Sequence, residues 1–218
     1  GATTDVYFFW DHAHPTQDGH LLIAEYILAL LDQITYVDAD AAGTNDGSSW
    51  GNAFTGLQDA LSAATADEQI WVADGNYYPD EGDGQTNNDR TSTFNIPSDV
   101  AVYGGFSGIE TSLGERDWET NVTILSGDLN QDDDSGGDNN ENAYHVVFFD
   151  GVSDQTVLDG VTVTAGNADN WDVTNGNSGG GICNDGSVVD SNPQLSNCRV
   201  IDNFAILGGG IFNVALDG

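Results

Sequence analysis

The stretch DHAHPTQDGH, from Asp11 to His20, holds three of the four histidines of this 218-residue chain, with two acids and a proline. Such a stretch is typical of the end of a catalytic triad, whose chemistry also needs a nucleophile. Only ten residues precede it. Later serines do not fit, because GFSGIE lacks the second spaced glycine of a nucleophile elbow and DGSSW lies in a turn-rich stretch. A coincidental surface loop and a metal site of His12, His14 and His20 are the alternatives, although the spacing of these histidines matches no standard zinc pattern.

The pattern D-x-x-H-P-T, which begins at Asp11 and is followed by Gly-His at the start of a helix, resembles the final block of SGNH (GDSL-type) esterases and lipases. The resemblance implies that Asp11 orients His14, and that His14 takes the proton of a serine. The serine block and the oxyanion donors of that family cannot lie in residues 1–10. We therefore interpret residues 1–33 as the C-terminal remnant of such a hydrolase domain, with an incomplete triad.

The acidic stretch GDLNQDDDSGGDNNEN (127–142) offers the oxygen ligands that Ca²⁺ prefers. Positions 1, 3, 5 and 12 of a calcium loop are mimicked by Asn130, Asp132, Asp134 and Glu141, and Asp138 adds a carboxylate. A serine replaces the glycine needed at position 6, so this is not an EF-hand. A solvated loop is the alternative, although adjacent carboxylates repel one another unless they are hydrated or metal-bound.

Two smaller groups of residues are also candidates for binding. Asp38, Asp40 and Asp46 in DADAAGTNDG offer a second possible Ca²⁺ site, for which turns stabilised by Asx hydrogen bonds are the alternative. Trp50, Trp118 and Trp171 are candidates for stacking on sugars, and packing in the core is their alternative.

The charge balance limits the partners that this chain can have. It has 36 Asp and Glu against three Arg and no Lys, a net charge of −33. Such a surface repels nucleic acid and anionic membranes, and it suits divalent cations or high ionic strength. The longest apolar run, Leu21 to Leu31, is interrupted by Glu25 and falls short of the ~20 residues of a membrane span. We therefore expect no nucleic-acid binding and no membrane insertion.

Internal repeats indicate how the chain folds. A strand at Thr35 to Asp38, a helix from about Phe54 to Ala64 and a strand at Gln69 to Ala73 precede many short β-branched runs separated by Gly, Asn and Asp. VLDGVTVTAGNA (157–168) aligns with QLSNCRVIDNFA (194–205) at an offset of 37, and GGGICN (179–184) aligns with GGGIFN (208–213) at an offset of 29. Repeats of this length predict a solenoid.

From about residue 36 to the end, the chain resembles secreted bacterial right-handed parallel β-helix proteins with repeats like those of polymorphic outer-membrane adhesins. The residues that carry the resemblance are YVDADAAGTNDGSSW, VYGGFSGIET, RDWETNVTILSGD and NCRVIDNFAILGGGIFN. It implies a mainly β right-handed parallel β-helix with an N-terminal strand-helix-strand cap (34–80), rungs over 81–218 that continue in a longer parent protein, and a short α-helical N-terminal segment.

These observations favour a secreted or cell-surface module for adhesion or carbohydrate binding, non-catalytic as this chain, with a polysaccharide or cell-surface glycan as partner and Ca²⁺ as a possible cofactor. One alternative is a fragment of an SGNH esterase or lipase that the β-helix targets to its substrate. Another is a β-helix polysaccharide lyase or hydrolase, which the lack of lysine disfavours. Cys183 and Cys198 fit two buried thiols better than a disulfide, which stays an alternative.

Overall fold

A computed structural model describes residues 34–135, 137–171 and 176–215. The chain divides into two units, Gly1–Ile34 and Thr35–Gly218. Asp11 and His14, which the sequence predicts to be parts of an incomplete triad, lie outside the described residues. The predicted α-helical N-terminal segment lies outside them as well.

The described residues contain one α-helix, α1 (Leu57–Ala63), which begins after Gly56. Leu57, Ala60 and Leu61 are buried, as the i, i+3, i+4 spacing of an amphipathic helix requires. The sequence predicts a helix start near Phe54. The helix begins three residues later because Phe54 forms a parallel bridge with Val37 instead.

Strands in the described residues are short, from two to six residues. They are β1 (Ile34–Val37), β2 (Gln69–Ala73), β3 (Gly75–Tyr77), β4 (Phe94–Asn95), β5 (Ala101–Phe106), β6 (Thr123–Ser126), β7 (Val147–Asp150), β8 (Val157–Asp159), β9 (Val161–Thr164), β10 (Asn167–Ala168), β11 (Ile182–Asp185), β12 (Gln194–Ser196), β13 (Arg199–Val200), β14 (Phe204–Ala205) and β15 (Ile211–Val214). The segment 34–80, predicted as a cap, therefore holds β1, α1, β2 and β3.

The strands form four separate sheets. The first sheet has the order β1-β2-β5-β8-β12, the second β3-β6-β9-β13, and the third β4-β7-β11-β15, while β10 and β14 form a two-stranded sheet. The pairings β2–β5, β6–β9 and β7–β11 are parallel, as is β10–β14. Parallel neighbours need crossover connections, and the crossovers of these four pairs contain strands of the other sheets.

Paired residues bring apolar side chains into contact across each sheet. In the first sheet Val102 pairs with Leu158, and Leu158 with Leu195. Val102 and Leu158 are fully buried, whereas Leu195, on the last strand of that sheet, is 37% exposed. The third sheet repeats this pattern through Val147, Ile182 and Ile211, the last of which is 43% exposed. The core therefore consists of columns that run from strand to strand and end at β12 and β15.

The register between the last strands follows the two internal repeats. Val157 pairs with Gln194, which is the repeat offset of 37, and Ile182 pairs with Ile211, which is the offset of 29. Residues at equivalent places in the repeats therefore lie side by side.

The sheets contradict the fold class predicted from the sequence, which was a right-handed parallel β-helix with a strand-helix-strand cap. The described residues are mainly β, but they form several short, separate parallel sheets and one helix. No single period runs through them: Gln69 pairs with Ala101, 32 positions on, and Ala101 pairs with Val157, 56 positions on. The two repeats set the register of the last strands only, because long loops of unequal length separate the others.

The described residues also bear on two other features of the sequence, a membrane-spanning helix and the two cysteines. No helix there is long and apolar enough to cross a membrane. Cys183 and Cys198 are free thiols, and burial raises the pKa of Cys183 to about 12, so this thiol is un-ionised at neutral pH.

Candidate functional site

The second sheet has a buried face and an outward face. Leu125 and Val163 are fully buried, and they alternate with Ile124, Thr162 and Thr164 because successive side chains point to opposite faces. Thr162 lines a recess of about 460 Å³, and Thr164 lines a second recess of about 380 Å³. The two threonines lie about 7 Å apart along β9, so the recesses are neighbours on one face.

The first of these, the Trp118 recess, is lined by Trp118, Glu119, Thr162, Asn197 and Arg199, among others. Trp118 is 38% exposed, so a large part of its side chain is accessible from solvent. The polar residues around it provide both hydrogen-bond donors and acceptors. An aromatic side chain among a few such groups is the usual composition of a small-molecule site.

The loop that carries Trp118 is held by its own short hydrogen bonds. The backbone N–H of Asp117 donates to the carbonyl of Gly105 at 2.8 Å. The Asp117 carboxylate accepts from the Thr120 hydroxyl at 3.0 Å and from the Glu119 N–H at 3.1 Å. These bonds, the one from the Thr120 side chain first, lower the pKa of Asp117. The Asp117 carboxylate therefore stays ionised. It continues to accept the hydrogen bonds that hold this turn together.

Arg116 supports Trp118 from the interior. Its guanidinium lies 4.9 Å from the Trp118 ring and 5.1 Å from the Tyr103 ring, distances typical of cation–π contacts. It also pairs with Asp159 at 2.8 Å and donates to the carbonyl of Gly104 at 3.1 Å. Burial, and then the charge of Asp159, raise the pKa of Tyr103. The Trp118 side chain is thus held against a buried charge that is paired with Asp159.

The second recess, the acidic recess, is lined by Tyr78, Asp128, Asp133, Thr164 and Asp202, among others. Carboxylate oxygens of Asp128, Asp132 and Asp133 lie within 4.8 Å of one another. Asp128 accepts the backbone N–H groups of Asp132 at 3.1 Å and Asp133 at 3.3 Å, which folds the chain back on itself. These three residues, the acidic cluster, are the one group of at least three possible His, Cys, Asp or Glu metal ligands among the residues described.

Arg90 holds the end of the acidic loop in place. Its guanidinium donates to the carbonyls of Asn142 at 2.7 Å and Asn167 at 2.9 Å, and it pairs with Asp169 at 2.9 Å. It also lies 4.3 Å from the ring of Tyr144. This arginine is therefore engaged at the base of the loop, where its charge anchors the backbone.

The structure brings together only part of the acidic set predicted from sequence. Asp132 belongs to the acidic cluster, whereas Asp138 caps the short 3-10 turn Asn139–Glu141 by accepting the Asn140 N–H at 3.0 Å. Asn130 is exposed, and Asp134 lies in the 3-10 turn Asp133–Ser135. Sequence reasoning missed Asp133, because the template of alternating ligands skips every second residue.

The second predicted calcium set is engaged in turns. The Asp38 carboxylate accepts the N–H of Asp40 at 2.9 Å. Asp46 accepts from the Ser48 N–H at 3.0 Å and the Thr44 hydroxyl at 2.7 Å, and hydrogen bonds from Ser48 and then Thr44 lower its pKa. These are the Asx-type bonds that the sequence offered as the alternative.

The three predicted tryptophans differ in their surroundings. Trp50 packs against Tyr36 at 4.8 Å and Phe106 at 5.4 Å, and its Nε1–H donates to the carbonyl of Glu110 at 2.9 Å. Trp171 is 67% exposed. Trp118 is the one of the three that lines the recess on the second sheet.

A larger recess, of about 510 Å³, lies on another part of the surface beside α1 and the loop 84–93. Its lining includes Gln58, Ser62, Asp89 and Asn95 but no aromatic side chain among the described residues. We therefore place the candidate site on the second sheet, where an aromatic ring and polar groups converge. Comparison with protein-family models, curated proteins and solved structures finds no match for this chain.

Proposed function

We propose that this chain is a carbohydrate-binding module of the extracellular space or the bacterial cell surface, and that the Trp118 recess holds a sugar ring. The observation that carries the proposal is the position of Trp118, which is 38% exposed and lines a recess of about 460 Å³ whose other walls combine polar side chains with Val122 and Val161. The proposed location is the sequence-based expectation of a secreted or cell-surface module.

The recess has the chemical groups that a sugar requires. A sugar ring has an apolar face that packs on an indole and hydroxyl groups that both donate and accept hydrogen bonds. Glu119 offers acceptors, Arg199 offers donors, and Asn197 offers both. All three of these side chains are on exposed residues, so a ligand can reach them without a rearrangement of the core.

The charge of the chain selects among sugars. With a net charge of −33, the surface repels anionic polysaccharides over the range of a Debye length, about 8 Å at physiological salt. We therefore propose a neutral glycan as the partner.

A panel of neutral and acidic polysaccharides, screened on an array and followed by calorimetric titration, tests the proposal. We expect binding to at least one neutral glycan. The Trp118→Ala variant should bind about 30-fold more weakly, because truncation of a central tryptophan costs about 2 kcal/mol. Trp171→Ala, which removes an equally large exposed ring outside the recess, should bind like the wild type.

A second variant tests the site if the first one does not fold correctly. If Trp118→Ala lowers the melting temperature, Arg199→Gln provides the test, because Arg199 is an exposed residue of the same recess. Absence of binding to every glycan, or full binding by both variants, would overturn the proposal.

A further inference from the structure

We propose that Asp128, Asp132, Asp133 and Asn142 bind one Ca²⁺ ion at the acidic cluster. This inference concerns different residues from the Trp118 recess and does not depend on glycan binding. It goes beyond the calcium-loop template of the sequence, since Asp132 alone belongs to both ligand sets.

The first reason is the concentration of negative charge in the cluster. Three carboxylates whose oxygens lie within 4.8 Å of one another repel each other strongly unless a cation or a proton is present. In the described part of the chain, the ion pairs of arginine are with Asp159 and Asp169, not with this cluster. Ca²⁺ holds its oxygen ligands at 2.3–2.6 Å, so ligands on opposite sides of the ion are about 5 Å apart, which agrees with the span of the cluster.

The second reason is Asn142, which is only 1% exposed. Its Nδ2 donates to Oδ2 of Asp133 at 2.8 Å, so the buried amide reaches the cluster, yet its Oδ1 has no hydrogen-bond partner. A buried acceptor without a partner costs about 1–3 kcal/mol. In the structure the amide presents its N–H to Asp133. Rotation by half a turn would break this bond, place Oδ1 beside the cluster as a neutral ligand for a cation and leave Nδ2 in the position that Oδ1 holds now.

The third reason is Asp132, whose Oδ1 is inaccessible to solvent and also lacks a partner. The room for this oxygen exists because residue 137 is glycine: a Cβ there would lie 2.0 Å from Oδ1. A buried carboxylate oxygen without a donor is costly, and metal coordination is one of the few ways to satisfy it. Three carboxylates and one amide oxygen leave two to four positions for water or backbone carbonyls in a coordination shell of six to eight.

Calorimetric titration of the whole chain with CaCl₂ in 150 mM NaCl, after removal of metal with a chelator, tests the proposal. The salt suppresses diffuse binding to the acidic surface. We expect one ion per chain, a dissociation constant below about 1 mM and a higher melting temperature with Ca²⁺ than with the chelator. MgCl₂ at the same concentration should give less than half of the rise in melting temperature, because Mg²⁺ demands a tighter octahedral shell.

Matched variants locate the ion. Asp132→Asn should weaken Ca²⁺ binding at least tenfold, whereas Asp190→Asn, which makes the same charge change at an exposed residue elsewhere, should alter it by less than twofold. Asn142→Asp keeps the oxygen and adds a charge, and it should bind Ca²⁺ at least as tightly as the wild type. Absence of saturable binding in the wild type, equal stabilisation by Mg²⁺, or equal weakening by Asp132→Asn and Asp190→Asn would overturn the proposal. The melting temperatures of the wild type with Ca²⁺ and with chelator test for Ca²⁺ binding even if a variant fails to fold.

Discussion

Arg116 and Asp159 form an ion pair of 2.8 Å between side chains that are only 8% and 13% exposed, although 43 positions separate them in the chain. Asp159 ends β8 in the first sheet, and Arg116 precedes the loop that carries Trp118. The pair therefore links the first sheet to the candidate sugar site. A buried pair is costly to break, because the remaining charge is left without a partner.

The Asp159→Asn substitution should lower the free energy of unfolding by about 3 kcal/mol, because it leaves the Arg116 charge buried and unpaired. For a chain of this size the melting temperature should fall by about 6–12 °C. Asp169→Asn provides the matched control, since the Arg90–Asp169 pair is more exposed, at 22% and 34%, and should lose less than about 1 kcal/mol. Thermal unfolding followed by circular dichroism measures both, and equal losses would contradict the distinction.

Gly105 controls the approach of the Trp118 loop. Its φ is +95°, and a Cβ at this position would lie 2.8 Å from the backbone of Trp118. Gly105→Ala should therefore destabilise the fold by more than about 1 kcal/mol and should also weaken glycan binding, because the loop must shift. Gly114→Ala is the control, since a Cβ there meets no atom within 4 Å. Similar melting temperatures for the two variants would show that the loop does not pack as described.

Leu158 and Leu195 are paired neighbours in the first sheet with different burial. Leu158 is fully buried and Leu195 is 37% exposed. Leu158→Ala should cost about 2–5 kcal/mol, since it removes transfer free energy and leaves a cavity. Leu195→Ala should cost less than half as much, because solvent already reaches that side chain. Urea denaturation of both variants measures the difference, and a larger loss for Leu195→Ala would contradict the order of burial.

His145 gives the fold a dependence on pH. Burial lowers its pKa below the ordinary 6.5, against the opposing effect of a hydrogen bond to the carbonyl of Gly179 at 3.0 Å. The folded protein therefore favours the neutral ring. Its contribution to stability is complete above pH 6.5 and is lost as the pH falls from there through the folded pKa, where the unfolded chain binds more protons than the folded chain.

The difference in melting temperature between wild type and His145→Gln isolates this effect, because the acidic residues and other histidines are common to both. We expect that difference to be constant between pH 7 and 8. Below pH 6.5 the wild type should lose more stability than the variant. Parallel curves down to pH 5 would contradict a depressed pKa for His145.

Much of the local structure was predictable from the sequence. Alternating or apolar runs placed the strand at Gln69–Ala73, and helical spacing placed α1 to within three residues at its start. The repeats predicted which residues lie side by side in the last strands, because identical local patterns bury identical positions. These features depend on neighbours in the chain, and one sequence is enough to define them.

The separate sheets and the candidate sites were decided only by the tertiary structure. Local patterns do not state how long a loop runs before its strand pairs with another, so the repeats define the pairings of the last strands and not the offsets of 32 and 56 positions between the earlier ones. Nor do they state that Asn142 reaches Asp133, or that Arg116 supports Trp118 while pairing with Asp159. These contacts matter to stability because an unpaired polar group costs more free energy in the interior than in water. Residues become buried only when distant segments of the chain pack together.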